Sequence, residues 1–246
     1  MKIALYSDIH AQLAPLNAVL EDIDKENVDH EVIIGDMIMG GPEPSEVLER
    51  IRGREKAIPL LGNFDRWVMN RVDEQENPFP HRNESIRLTR EHLADGQVDW
   101  LKTLFCSITL SPEPGHDFLI FHGTPNDDNG ALPLRLTDDE VRERLGGVTA
   151  EIMAFGQVHA PYIRQVGDQT LVCSAAVGAC YDGDSRPAYS VVEYLGDGNW
   201  NAEIKRVSYD NEAQAKLNEE GWHPGGERQA ITIRTGVHWN PDGPPH

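Results

Sequence analysis

Five short strings in this 246-residue chain carry side chains of the kind that bind divalent cations. They are Ser7-Asp8-Ile9-His10, Gly35-Asp36, Gly62-Asn63-Phe64-Asp65, Phe121-His122-Gly123 and Gly156-Gln157-Val158-His159, and each follows an apolar run. Carboxylates, an amide oxygen and imidazoles, with no thiolate among them, suit Mn, Fe, Zn, Ni or Mg rather than a structural cysteine–zinc site. Two such cations held close together are a standard device for cleaving phosphate esters. They polarise the phosphoryl oxygens while a bridging hydroxide attacks phosphorus. Singly, each string has a bland reading. Asp8 and Asp36 fit caps or turns, Asn63 fits a turn former, and His122 fits a satisfied core histidine. The metal reading is favoured because all the bland readings would have to hold at once.

The elements that must position these strings alternate in type. Residues 2–7, 31–34 and 57–61 read as buried strands, and 13–25 and Pro44–Arg52 as helices, with Leu13, Leu16, Leu20 and Ile23 on one helical face. A βαβαβ start predicts a parallel sheet with helices on its faces. Ligands of such sheets bind beyond the carboxyl ends of strands, where Asp8, Asp36 and Asn63 all fall. Residues 72–83 read as an exposed polar loop, and 84–104 as helix broken near Gly96. Further strands are expected at 107–110, 118–121, 152–155 and 170–173. A hairpin over 189–194 and 200–207 turns through Gly196-Asp197-Gly198-Asn199. The stretch from Gly221, rich in Gly, Pro and His, has no assignable fold and reads as partly ordered packing or a loose arm.

Composition narrows the class. A net charge of -19 repels a phosphate backbone, so general nucleic-acid binding is not expected. A mean hydropathy of -0.48 and no long apolar run argue against a membrane span. The N-terminus enters a strand-like run at once, with no secretory pattern, and a cytoplasmic location is expected. Cys106, Cys173 and Cys180 show no metal-type spacing and read as reduced thiols in or near the core. His30, His81, His92, His116, His223, His238 and His246 read as surface residues.

The order and spacing of the five strings resemble the calcineurin-like metallophosphoesterases, over roughly the first three quarters of the chain. The segment from Val177-Gly178 to Asp182-Gly183-Asp184-Ser185-Arg186-Pro187 is similar to one in the small bacterial phosphodiesterases, with Cys173-Ser174-Ala175-Ala176 replacing its usual opening. The resemblance implies an α/β fold of two facing mixed β-sheets flanked by helices. One domain would span 1–246, with a core to about 210 and an extension over 211–246. It implies a dinuclear phosphoesterase acting on a small phosphate ester, a diester in that branch. Asp8, His10 and His159 would bind one ion, Asp36 would bridge, and Asn63 and His122 would hold the second. Asp36, Asn63 and Asp65 are the catalytic positions it implicates, Asp65 by orienting a ligand.

Two positions depart from the family pattern. Phe64 replaces a histidine that protonates the leaving group, and a phenyl ring donates no proton. Phe64 reads either as a stacking surface for substrate or as loop packing, and His81 is the one candidate for a substitute acid. Gln157 replaces a histidine ligand of the second ion. Its carbonyl oxygen is a weaker donor than imidazole, and a water in its place is the alternative. Arg66, Trp67 and Arg186 are open to both substrate contact and structural pairing. Competing functions are a phosphomonoesterase, including a protein serine/threonine phosphatase, and an impaired metal-binding module that engages a partner without turnover.

Overall fold

The computed structural model describes residues 1–74, 80–174 and 176–238; Ala175, His246 and part of the 72–83 loop lie outside the described residues. The chain opens as β1 (Lys2–Tyr6), α1 (Leu13–Ile23), β2 (His30–Ile34), α2 (Pro44–Arg52) and β3 (Ala57–Leu60). α1 forms because Leu16, Val19, Leu20 and Ile23 recur on one buried face. Next come α3 (Asn63–Asn70), 3₁₀ turns at Val72–Glu74 and Pro80–Arg82, α4 (Asn83–Glu91) and α5 (Gln97–Leu101). The break expected near Gly96 is there, at a φ of 78°. The second half supplies β4 (Ser107–Glu113), β5 (His116–Phe121), α6 (Asp138–Leu145), β6 (Ile152–Phe155), β7 (Tyr162–Val166) and β8 (Gln169–Cys173). The hairpin β9 (Ala188–Gly196) and β10 (Asn199–Arg206) follows, then α7 (Asn211–Glu220) and α8 (Gly226–Thr235).

These strands make two mixed five-stranded sheets, ordered β10-β9-β1-β2-β3 and β4-β5-β6-β8-β7. Side-chain alternation builds the layers. Ile3 and Leu5 of β1 and Val32 and Ile34 of β2 meet Phe118, Ile120, Ile152 and Ala154 of the other sheet in one apolar cluster. Ala4, Tyr6 and Ile33 point the other way, into a cluster with α1, α2 and Trp67 of α3. Met153, Phe155, Leu171 and Cys173 pack against Val141 and Leu145 of α6. The helix–sheet–sheet–helix sandwich implied by the family resemblance is the fold found.

Several expectations change. The stretch after Gly221 is not formless: α8 runs from Gly226 and packs on α7, with Ala215, Ala230 and Ile233 buried between them. Cys106 is exposed rather than near the core, while Cys173 and Cys180 are buried free thiols. His223 is buried, not on the surface, and His116 is half-buried, with Nδ1 2.9 Å from Glu151 Oε1.

Candidate metal centre

Asp8, His10, Asp36, Gln157 and His159 all have left-handed backbones, with φ between 50° and 66°. That conformation costs a residue other than glycine on the order of 1 kcal/mol or more, so surrounding structure has to impose it. Asp8 N donates to Gly35 O at 3.1 Å, His10 N to Asp36 O at 3.0 Å, and Ala11 N to Met37 O at 2.8 Å, lacing the first two strand ends together. Gly178 N closes on Asp8 O at 2.9 Å and Tyr181 N on His159 O at 2.7 Å. Gly62 sits where any Cβ would collide with Asp36 Oδ1 and the Asp36 backbone nitrogen. Asp65 ties these turns: Oδ2 accepts from Gly62 N at 3.0 Å, and Oδ1 from Met37 N at 2.9 Å and Ile38 N at 3.3 Å. These bonds hold the backbone next to Asp36 and Asn63.

The side chains converge as electron-pair donors. Nδ1 of His10, His122 and His159 points at the carbonyls of Met39, Ile34 and Ala179 at 2.7, 2.6 and 2.6 Å. With Nδ1–H donating outward, each Nε2 offers its lone pair inward. His10 Nε2 and His159 Nε2 face each other at 3.0 Å, beside Asp8 Oδ1. His122 Nε2 meets Gln157 Oε1 at 2.8 Å and Asn63 Oδ1 at 3.1 Å. The Asn63 amide also lies 3.2 and 3.3 Å from the two Asp36 oxygens, where its nitrogen can donate to both. Asp8 Oδ1 is buried with no hydrogen-bond partner, although Oδ2 accepts from Ser7 Oγ at 2.6 Å and Gln157 N at 3.0 Å.

Buried acceptors that face one another require positive charge between them, either protons or metal ions. Two groups of potential ligand atoms form, Asp8 with His10 and His159, and Asp8 with Asp36 and His122. The donor set therefore fits divalent cations. Asp8 is common to both groups, and Asp36 Oδ2 reaches only the second, 3.5 Å from His122 Nε2. Gln157 aims its oxygen into that second group, as a carbonyl ligand would.

Electrostatics follow the same division. Burial opposes the Asp8 charge, yet the flanking imidazoles of His159, His122 and His10 hold the carboxyl well below the usual range. Burial and then the His159 charge lower His10. Burial also works against charge on His122, but the Asp36 and Asp8 carboxylates push it up to about 10. Burial and the neighbouring Asp36 raise Asp65 to about 7.

Asp8, His10, Asp36, Asn63, His122, Gln157 and His159 thus meet in one place, as their spacing predicts. Phe64 packs edge-on to His10 with centroids 5.4 Å apart and against Trp67 at 5.1 Å, so the packing reading accounts for it. Arg66 is committed to Asp128 at 2.5 and 2.6 Å, Trp67 is buried, and Arg186 pairs with Asp184 on the surface. Sequence reasoning missed Tyr181, which stacks on His159 at 4.3 Å, and Arg82, whose guanidinium lies 5.4 Å from the Phe64 ring centroid. An aromatic inside the recognised 177–187 segment was the available signal for the first; nothing local marks the second.

Residues 1–196 match the calcineurin-like phosphoesterase superfamily domain. The chain belongs to that superfamily. A curated relative, an uncharacterized protein of Methanocaldococcus jannaschii, is 38% identical over 224 residues, covering 85% of this chain and 88% of its own length. Among solved structures, a metallophosphoesterase from Sphaerobacter thermophilus superposes with a TM-score of 0.75 at 22% identity, covering 96% of this chain and 99% of that one. A hypothetical protein from Pyrococcus horikoshii OT3 reaches a TM-score of 0.81 at 17% identity, covering 96% and 98%. Both likenesses span nearly the whole calcineurin-like chain, and they establish its fold. No described helix is long and apolar enough to cross a membrane.

Proposed function

We propose that this chain is a dinuclear-metal phosphoesterase acting on a small phosphate ester, with a diester as its substrate. The observation that carries the reading is the buried convergence of Asp8, His10, Asp36, Asn63, His122 and His159, with Asp8 Oδ1 left without a hydrogen-bond partner among them. Membership of the superfamily supplies the reaction class, and the sequence resemblance to small bacterial phosphodiesterases supports the diester. Bound divalent cations would neutralise phosphoryl charge and lower the pKa of the attacking water. Asp8, His10 and His159 would hold one ion; Asp36, Asn63, His122 and Gln157 would hold the other. Asp65 fixes the turns that carry Asp36 and Asn63, and the backbone pins each imidazole in one tautomer. Phe64 fills the position beside Asn63 where a proton donor would sit, so esters with acidic leaving groups are favoured.

The test is metal analysis of purified protein, paired with hydrolysis of bis(p-nitrophenyl) phosphate and p-nitrophenyl phosphate across Mn, Ni, Mg and Zn. Metal-dependent turnover with preference for the diester supports the reading. Preference for the monoester would shift the substrate class to phosphomonoesters. Tight metal binding without turnover of either ester would leave only the partner-binding alternative.

A further inference from the structure

Beside the metal centre lies a second cavity of about 320 Å³, walled by two segments far apart in the chain. Gly40, His81 and Arg82 form one side; Pro224, Arg228 and Gln229, at the start of α8, form the other. It adjoins the centre through shared walls. Met39, also in the lining, accepts the His10 Nδ1 hydrogen bond, and Gly40 packs directly on the His10 side chain. Phe64 connects them on the remaining side, its edge on His10 and its face under the Arg82 guanidinium.

The charge of this cavity runs against that of the molecule. The chain carries 41 acidic and 22 basic residues, yet the described residues lining the cavity include two arginines and a histidine with no Asp or Glu. A surface so acidic would repel a substrate anion everywhere else, and a cationic recess next to a cation-binding centre offsets that locally. Arginine forks suit carboxylate and phosphate oxygens.

Resting on the phosphoesterase reading, we infer that the Arg82–Arg228 recess is a subsite for a second anionic group, so that the substrate is a phosphoester whose alcohol portion bears a carboxylate or further phosphate. Phe64 is then the platform that holds Arg82 at the boundary between the two sites. Helix α8 contributes a specificity residue, Arg228, from outside the stretch that matches the superfamily domain.

Binding tests this separately from catalysis. The probes are phosphonoacetate, 3-phosphonopropionate and 4-phosphonobutyrate, each against the alkylphosphonate of equal length, titrated calorimetrically into the full-length manganese-loaded protein. One chain length should bind about tenfold tighter than its alkyl control, the scale of one charge-assisted contact near the surface. Arg228→Ala should bring that ratio close to one, and Arg228→Lys should keep part of it. The matching α,ω-bisphosphonates decide between carboxylate and phosphate as the preferred second group. No preference at any length, or one that survives Arg228→Ala, overturns the inference. Preference without hydrolysis of any ester would uphold the subsite and refute the enzymatic reading. Hydrolysis without preference would do the reverse, and no binding of any phosphonate would overturn both.

Discussion

Manganese binding to the metal-free protein should release close to one proton through His122 and tighten about tenfold for each unit of pH between 6.5 and 8.5. His122 is sealed in the core, with Nδ1 on the Ile34 carbonyl and Nε2 facing Gln157, Asn63 and Asp36. Burial resists its charge, yet Asp36 and Asp8 keep it protonated up to about pH 10. At pH 7, three units lower, Nε2 is therefore bare in roughly one molecule in a thousand. A cation that takes this nitrogen has to displace the proton, which weakens binding at pH 7 by about 4 kcal/mol relative to a bare site. His10, lowered by burial and by His159, adds little to the release above neutrality. In the metal-free protein the sign for folding is opposite. A folded-state midpoint raised above the unfolded value gives stability that is complete below about pH 6.5 and lost as pH climbs toward 10. Calorimetry at about pH 6.5, 7.5 and 8.5, in buffers of different ionisation enthalpy, counts the protons directly. Affinity for the weaker ion that ignores pH, with no buffer-dependent heat, would refute the reasoning.

Asp36→Asn keeps a residue type that tolerates the left-handed backbone and removes the charge facing His122; the second ion should be lost, bound metal falling toward one ion per chain, and hydrolysis should drop by about a hundredfold or more, by elemental analysis and steady-state rates. Gln157→His replaces an amide oxygen with imidazole in the second group alone, so the weaker ion should tighten about ten- to a hundredfold, measured as the metal concentration that half-saturates activity. Equal affinities before and after the change would show that Gln157 is no handicap. Rates on aryl esters should fall steeply as leaving-group pKa rises, and Phe64→His should flatten that slope; a flat slope in the native protein would mean another group supplies the proton.

The ligand set was legible because strand ends in an α/β sheet fall on one edge, so Asp8, Asp36 and Asn63 could be joined without knowing any contact. The layers were legible for a related reason: β1 and β6 are apolar at nearly every position, and β2 and β8 over their last three, as strands covered on both faces must be. What escaped had no such continuous signal. β7 carries Arg164 and Gln165, leaves Ile163 exposed, and reads as loop until it pairs with β8. α6 has only Val141 and Leu145 buried, and its Thr137–Glu140 capping box was the cue left unused. α7 and α8 are held by a few small contacts and by polar ones, Gln12 with Gln214 and Asn218 and Trp222 Nε1 on the Pro42 carbonyl, which periodicity does not record. Arg82 and Arg228 are 146 residues apart in sequence, and only tertiary structure puts them around one cavity.

The left-handed turns at Asp8, His10, Asp36, Gln157 and His159 are held by main-chain hydrogen bonds among strand ends, by the Asp65 carboxylate and by Asp8 Oδ2 on Gln157 N. The centre is in that sense cast before it is filled. Metals can then come and go without folding or unfolding the loops, and exchange is a matter of ligand chemistry and supply. A cell poor in one cation and rich in another would fill the same mould differently, with the reaction's rate changing and the protein's shape staying put.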